Sequence, residues 1–307
     1  MSLISAVVVL ALEQLYAFPR RAYFDQLLSR YAKILERFFN AGESRHGMIA
    51  WLAGVAFPIA LTAIIYFGLS QVSHILAWMW NVTVLYFTMG FRRFSHSFTE
   101  ITRALRDGDL GRARESLADW SGQDTSELNR KEVIRLAIEH GLLCSHRHVF
   151  AVMAWFFILP GPIGAVLYHF AAQLYKQWGN KDQAEFGYFG AFAKRMFEIL
   201  DWVPARVTAI SFAIVGDFED AIYCWRGQAH EWMQASQGVI LSSAAGALGI
   251  QLGDDVHQQG GIVSRPTLGL GDEADIDHLQ SAVGLIWRAL VLWLTLVLLL
   301  SIAAWVA

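Results

Sequence analysis

The sequence predicts an all-α, polytopic integral membrane protein, and three observations carry that expectation. Only 17% of the residues are charged while 55% are apolar, whereas soluble domains carry about 25% charged residues. Residues 47–69 run without a single charge, and a helix needs roughly 20 such residues to cross the hydrocarbon core of a bilayer. The charges that exist are unevenly placed. Lys and Arg gather at 16–46 (Arg20, Arg21, Arg30, Lys33, Arg37, Arg45) and again at 92–148, whereas 224–282 holds Arg226 and Arg265 among acids. Short basic loops stay in the cytoplasm, so this asymmetry bears on orientation. The 92–148 stretch sets ten bases against nine acids, so it is no phosphate-tracking stripe, and no nucleic-acid partner is expected.

Taken in order, Leu3–Leu12 reads as a retained first helix, ending at Glu13. Residues 16–46 are amphipathic: Leu27, Leu28, Tyr31, Ile34, Leu35 and Phe38 recur at helical spacing with Arg30, Lys33 and Arg37 between them. That pattern fits a helix packed on the protein core or one lying on anionic lipid. Residues 47–69 and 75–91 predict two spans, the second stopped by Arg92 and Arg93. Residues 92–148 predict a helical cytoplasmic insertion. A turn falls at Asp107-Gly108-Asp109, and Asp124 or Thr125 suits the N-cap of the helix running through Glu139.

Residues 149–172 are apolar but broken at Pro160-Gly161-Pro162. Proline removes a backbone donor and clashes with the preceding turn, so this is either one kinked span or a re-entrant pair of half-helices lining a polar cavity. Residues 203–223 and 283–307 predict two further membrane helices, and 224–282 a polar, glycine-rich loop. The expected organisation is one membrane domain over 1–307 with about five to six membrane helices.

Motifs exclude more than they assign. The chain has no G-x-x-x-x-G-K-[ST] phosphate loop, no dinucleotide fingerprint and no G-x-S-x-G elbow. Cys144 and Cys224 make no disulfide framework. His140, His146 and His148 lack metal-ligand spacing, since i and i+2 point to different helix faces, and no metal ligand is assigned. The remaining candidates are Glu139 and Asp124 as catalytic carboxylates, and Arg92, Glu139, His146, Arg147, Asp201 and Arg206 as ligand-binding groups around the broken helix.

Six stretches, in this order, resemble the CobD/CbiB family of polytopic membrane proteins. They are Val84-Leu-Tyr-Phe-Thr-Met-Gly-Phe-Arg92, Ala104-Leu-Arg-Asp-Gly-Asp-Leu-Gly-Arg-Ala113, Gly122-Gln-Asp-Thr125, Gly161-Pro-Ile-Gly-Ala165, Pro204-Ala-Arg-Val-Thr-Ala209 and Ala245-Gly-Ala-Leu-Gly249. The resemblance implies adenosylcobinamide-phosphate synthesis: an ATP- and Mg²⁺-dependent amide ligation of aminopropanol (phosphate) to a corrinoid carboxylate. Two acid-bearing segments of that family read here Cys144-Ser-His-Arg-His148 and Ala171-Ala-Gln-Leu-Tyr-Lys-Gln-Trp178, without the carboxylates. Leu12-Glu-Gln-Leu15 and Leu200-Asp-Trp-Val-Pro204 are similar to the AmpE branch.

The resulting expectation is an AmpE-like, regulatory or sensory protein of the bacterial inner membrane, without ligase activity. Its partners would be the lipid bilayer and a corrinoid or other small molecule. The alternative is a divergent adenosylcobinamide-phosphate synthase, and ATP and Mg²⁺ belong only to that alternative.

Overall fold

A computed structural model describes residues 2–15, 21–40, 42–179, 181, 188–258 and 260–306. The protein is built from helices, as its composition predicts, with one small β element. Among the described residues, three helical runs are long and apolar enough to cross a membrane: Ser44–Val72, Arg130–Ile158 and Ile276–Ala303. Leu3–Gln14 and Ala235–Leu248 are apolar but shorter. The chain divides into two compact units, residues 1–90 with 147–204, and residues 91–146 with 205–307.

The first unit begins with α1 (Ser2–Leu15), α2 (Arg21–Phe39), α3 (Ser44–Val72) and α4 (His74–Thr88). Residues 16–20 of the expected amphipathic stretch lie outside the described residues. The apolar residues of α3 fit no single face, so it is apolar all round, as a lipid-facing span should be. It ends where Ser73 turns extended and caps α4, accepting the Ile75 N–H at 3.2 Å. α2 docks on α3 through small residues: the Tyr31 hydroxyl donates to the Gly54 carbonyl at 3.2 Å, and a Cβ on Gly54 would lie 2.8 Å from Leu35 Cδ1.

The Pro-Gly-Pro break lies in this unit, between α8 (Ala151–Ile158) and α9 (Ile163–Leu174). The chain reverses there instead of kinking. Gly161 takes φ +63°, and a Cβ on Gly164 would fall 1.9 Å from the Trp155 carbonyl oxygen. In a continuous helix residues nine apart are separated by about 13 Å, so this approach requires a hairpin of half-helices. A π-helical turn, Tyr175–Gly179, follows α9, and α10 spans Ala191–Val215.

The second unit opens with α5 (Phe91–Arg106), α6 (Leu110–Ser121) and α7 (Arg130–Ser145). Asp109 caps α6, accepting the Arg112 N–H at 2.9 Å, and Gly122 ends it at φ +71°. The N-cap of α7 is neither Asp124 nor Thr125 but Asn129. Its side chain accepts the Glu132 N–H while Glu132 accepts the Asn129 N–H, a closed capping box. Thr125 instead donates its hydroxyl to the Arg114 carbonyl at 2.8 Å and pins the loop. The expected end of the insertion at 148 falls inside a helical run: α7 passes through a π-helical turn, His146–Phe150, into α8. No proline falls in this run, and His146 is buried with its Nδ1 3.0 Å from Thr208 Oγ1, so its polar residues do not end the helix.

The expected helix at 203–223 is also reassigned. α10 runs through Pro204 and stops at Gly216. α11 (Phe218–Gln228) then starts from an Asp217 cap that accepts the Asp220 N–H at 3.0 Å. The expected loop at 224–282 contains α12 (Ala235–Leu248) and five short strands. α12 hid from a periodicity reading because its Ser, Ala and Gly residues are buried on nearly all sides. Gly246 lets it approach α11, where a Cβ would lie 2.4 Å from the Asp220 carbonyl oxygen, and Gly249 caps it at φ +65°. That close approach and left-handed cap account for the glycines of Ala245-Gly-Ala-Leu-Gly249.

Strands β1 (Ile250–Gly253), β4 (Thr267–Leu268) and β5 (Asp272–Glu273) form a mixed sheet ordered β4-β1-β5, antiparallel then parallel. β2 (Val256–Gln258) and β3 (Gly261–Val263) pair as an antiparallel hairpin. α13 (Ile276–Val306) closes the chain, its Trp293 indole donating to Ser211 Oγ at 2.7 Å.

Candidate functional site

The polar face of α7 organises the second unit. Lys131, Arg135 and Glu139 recur every four residues and so share one face, with Glu132 beside them. Each engages the β element. Glu132, already capping the helix, accepts the His257 backbone N–H at 3.2 Å and contacts His257 Nδ1 at 2.6 Å. Arg135 donates to Asp254 Oδ2 at 2.8 Å and to the Asp255 carbonyl at 2.6 Å. Lys131 pairs with Glu273.

Glu139 carries the most tightly built contact. It is 4% exposed and accepts the Gly253 backbone N–H at 2.8 Å. Arg265 forks onto the same carboxylate, Nη1 to Oε2 at 2.8 Å and Nη2 to Oε1 at 3.2 Å. Charge-assisted, two-pronged pairs of this kind fix orientation as well as supply energy. Arg265 also donates to the Gly253 carbonyl at 3.0 Å and the Asp254 carbonyl at 3.2 Å, and its guanidinium lies 5.4 Å from the Trp232 ring centroid. All but one of its five donors' worth of geometry is thus directed by protein oxygens and one aromatic face.

The backbone supports this arrangement. Gly253 and Asp254 both take positive φ, +77° and +63°, and a Cβ on Gly253 would lie 2.0 Å from the Pro266 carbonyl oxygen. Bonding from the Asp255 backbone N–H, aided by Arg135, holds the Asp254 carboxyl below the ordinary aspartate range. Beside the pair, Lys131, Arg135, Gln251, Asp254 and Glu273 line a cleft of about 40 Å³. Ligand pockets usually measure about 300–1,000 Å³, so this cleft admits the charged end of a ligand and not a whole nucleotide or corrin.

The other sequence candidates fall elsewhere. Asp124 is exposed and closes an Asx turn, accepting the Ser126 N–H at 3.0 Å and its hydroxyl at 2.8 Å. Those two bonds hold its carboxyl below the ordinary range. His146 is buried, its Nδ1 3.0 Å from Thr208 Oγ1. In the first unit, Arg147 lies over the Phe197 ring at 5.9 Å, and the buried Asp201 accepts the Tyr168 hydroxyl at 2.6 Å. Arg206 is half-buried on α10 in the second unit. Arg92 sits in the first turn of α5, and its side chain lies outside the described residues.

Sequence reasoning offered Glu139 as a candidate and did not anticipate its contact with Arg265. Arg265 lies 126 residues away in sequence, beyond any local pattern. Two signals were present: the four-residue spacing of Lys131, Arg135 and Glu139, and Arg265 standing as a rare base in an acidic segment.

Known proteins bear directly on this chain. A model of the CobD/Cbib protein family matches residues 6–286. The cobalamin biosynthesis protein CobD of Stutzerimonas stutzeri is 33% identical over 299 residues, covering 96% of each chain. That of Chromobacterium violaceum is 36% identical over 215 residues, covering 70% of this chain and 68% of its own. The cobalamin biosynthesis protein CbiB of Salmonella typhimurium is 27% identical over 228 residues, covering 72% and 70%. No solved structure matches. These relatives overturn the expectation of an AmpE-like regulatory protein without ligase activity, because their names place them in cobalamin biosynthesis. That expectation rested on two segments lacking carboxylates, and it did not anticipate the carboxylate–guanidinium pair that Glu139 of α7 makes with Arg265. The chain belongs to the CobD/CbiB family.

Proposed function

We propose that this protein acts in cobalamin biosynthesis as an adenosylcobinamide-phosphate synthase, joining aminopropanol phosphate to a corrinoid carboxylate through an ATP-dependent amide bond. The observation that carries the reading is the end-to-end similarity to the Stutzerimonas stutzeri cobalamin biosynthesis protein. We place it as a multi-pass protein of the bacterial inner membrane, with the 92–148 helices on the cytoplasmic side. Its three long apolar helices and the basic flanks of its first spans support that placement.

In such a reaction the corrinoid carboxylate attacks the terminal phosphoryl group of ATP and releases ADP. The amine then attacks the acyl phosphate, phosphate departs, and the amine sheds a proton. The enzyme's main task is to hold phosphates and position the reactants. Four of the five Arg265 donors are spent on Glu139, Gly253 and Asp254, so its one remaining N–H is the donor assigned to a phosphate here. Lys131 and Arg135 lie on the same face of α7 and add positive charge. Glu139 is a positioning residue: it fixes the Arg265 fork from a buried site. Mg²⁺ would travel on the phosphates of ATP. The carboxylates at the cleft, Asp254 and Glu273, are each engaged by Arg135 or Lys131. They form no ready set of oxygen ligands for a hard cation.

The test is direct. Purified protein in detergent is incubated with adenosylcobyric acid, aminopropanol phosphate, ATP and Mg²⁺, alongside an established synthase. Formation of the amide product is expected. Absence of product while the established enzyme turns over would overturn the reading.

A further inference from the structure

The amphipathic helix α2 presents three longitudinal faces, and the synthase reading uses none of them. Its packing face is settled: Leu28 and Ala32 are buried, Tyr31 bonds to Gly54 of α3, and Gln177 donates to Ser29 at 3.0 Å. A second face, formed by Leu27, Ile34 and Phe38, is apolar and open, with Phe38 82% exposed. Positions 27, 34 and 38 fall within about 40° of one another on a helix of 3.6 residues per turn. A third face carries Arg30, Lys33 and Arg37, all exposed, clustered on the side of the apolar stripe away from the packing face. Among the described side chains of α2 the sole acid is Glu36. It lies at the edge of this face, three residues from Lys33, and its charge is taken by Lys181 at 3.0 Å.

An exposed apolar stripe flanked by unopposed cations is the pattern of a helix lying in a membrane interface, with its apolar side in the acyl boundary and its cations among headgroups. Its neighbour makes that setting concrete. α3, against which α2 packs, is itself long and apolar enough to span a membrane, and it exposes Phe57, Leu61 and Ile64. We infer that α2 is an interfacial helix that binds anionic phospholipid, with Arg30, Lys33 and Arg37 holding the headgroups and Leu27, Ile34 and Phe38 seated in the acyl boundary. The charge pattern favours anionic over zwitterionic lipid, since each Lys or Arg near an anionic surface adds to the attraction.

The test uses the full chain in vesicles. A Phe38→Cys variant, with Cys144→Ser and Cys224→Ser to remove the native thiols, is labelled with an environment-sensitive fluorophore. The vesicles contain spin-labelled phosphatidylglycerol or spin-labelled phosphatidylcholine. Quenching by the anionic lipid at least three times that by the zwitterionic one is expected, and Arg30→Gln/Lys33→Gln/Arg37→Gln should bring the two within 1.5-fold. Three results would overturn the inference: no quenching by either lipid with the probe open to aqueous iodide, shielding from both lipid and iodide, as a second copy of the chain would produce, or equal quenching by both lipids. Because removing the cysteines can disturb folding, native mass spectrometry of the unlabelled chain gives an independent reading. Wild type should retain phosphatidylglycerol and the triple glutamine variant should lose most of it; equal retention would overturn the inference.

Discussion

Two helical runs of equal length, Ser44–Val72 and Arg130–Ile158, behave as different kinds of object. Each has 29 residues, but the first is the more apolar and the second the more buried. The first exposes Phe57, Leu61 and Ile64. The second buries Val133, Ile134, Ala137, Ile138 and Leu142, and on its polar face pairs Lys131, Glu132, Arg135 and Glu139 with the β element. Length and apolarity qualify both as spans. What separates them is where their side chains find partners: lipid satisfies α3, whereas the run through α7 requires protein oxygens and nitrogens. An anchor tolerates change along its outer face, and a scaffold does not.

The largest break in that comparison comes from removing one member of a buried pair. Arg265→Leu leaves the Glu139 carboxylate in place without its counter-charge, and such losses cost about 3–5 kcal/mol. Thermal unfolding in detergent should show it. The Glu139→Leu/Arg265→Leu double variant should recover part of the loss, because the uncompensated charge is then gone. A single Arg265→Leu variant that melts with the wild type would contradict the description of the scaffold.

Glycines sharpen the contrast on a smaller scale. Gly164→Ala places a Cβ against the Trp155 carbonyl oxygen and forces the α8–α9 hairpin apart, at about 1–3 kcal/mol. Gly68→Ala lies in α3 with no atom within 4 Å of the new Cβ, and should be neutral or stabilising by up to about 1 kcal/mol through helix propensity. In paired melting curves Gly164→Ala should fall below wild type and Gly68→Ala should match or exceed it.

Much of this was readable in the sequence. The uncharged run at 47–69, the Pro-Gly-Pro break and the helical hairpin at 107–109 all declared themselves locally, because each rests on residues adjacent in the chain. Glu139 was readable as a candidate, but Arg265 was not, since the pair exists only once β1 and the chain leading to β4 fold onto α7. α12 escaped for another reason: a helix of Ser, Ala and Gly that is buried nearly all round has no apolar face to betray it. The function erred where absent carboxylates in two segments outweighed the six matching stretches.

The smallest expected effect is on pH. Asp254 is held by the Asp255 N–H and by Arg135 with its carboxyl below the ordinary range, so the unfolded chain binds the proton more readily than the folded one. Its contribution is complete above the unfolded aspartate pKa of about 3.9 and is lost as pH falls through the lower folded value. Half-exposed as Asp254 is, the contribution should be under about 1 kcal/mol. Asp254→Asn should flatten the acid limb of the wild-type stability curve, lowering stability at neutral pH by that amount and leaving the most acidic end unchanged.

Steady-state kinetics of Glu139→Gln in amide formation test the role of the α7 site most directly. With aminopropanol phosphate and ATP varied in turn, the substitution keeps the shape of the side chain while weakening the fork that orients Arg265. Loss of about 100-fold in kcat/KM is expected from the misplaced guanidinium, with a raised KM for at least one phosphate-bearing substrate, and with Glu139→Asp recovering part of it. A Glu139→Gln enzyme that folds and turns over within twofold of wild type, with both KM values unchanged, would contradict the placement of the site on α7.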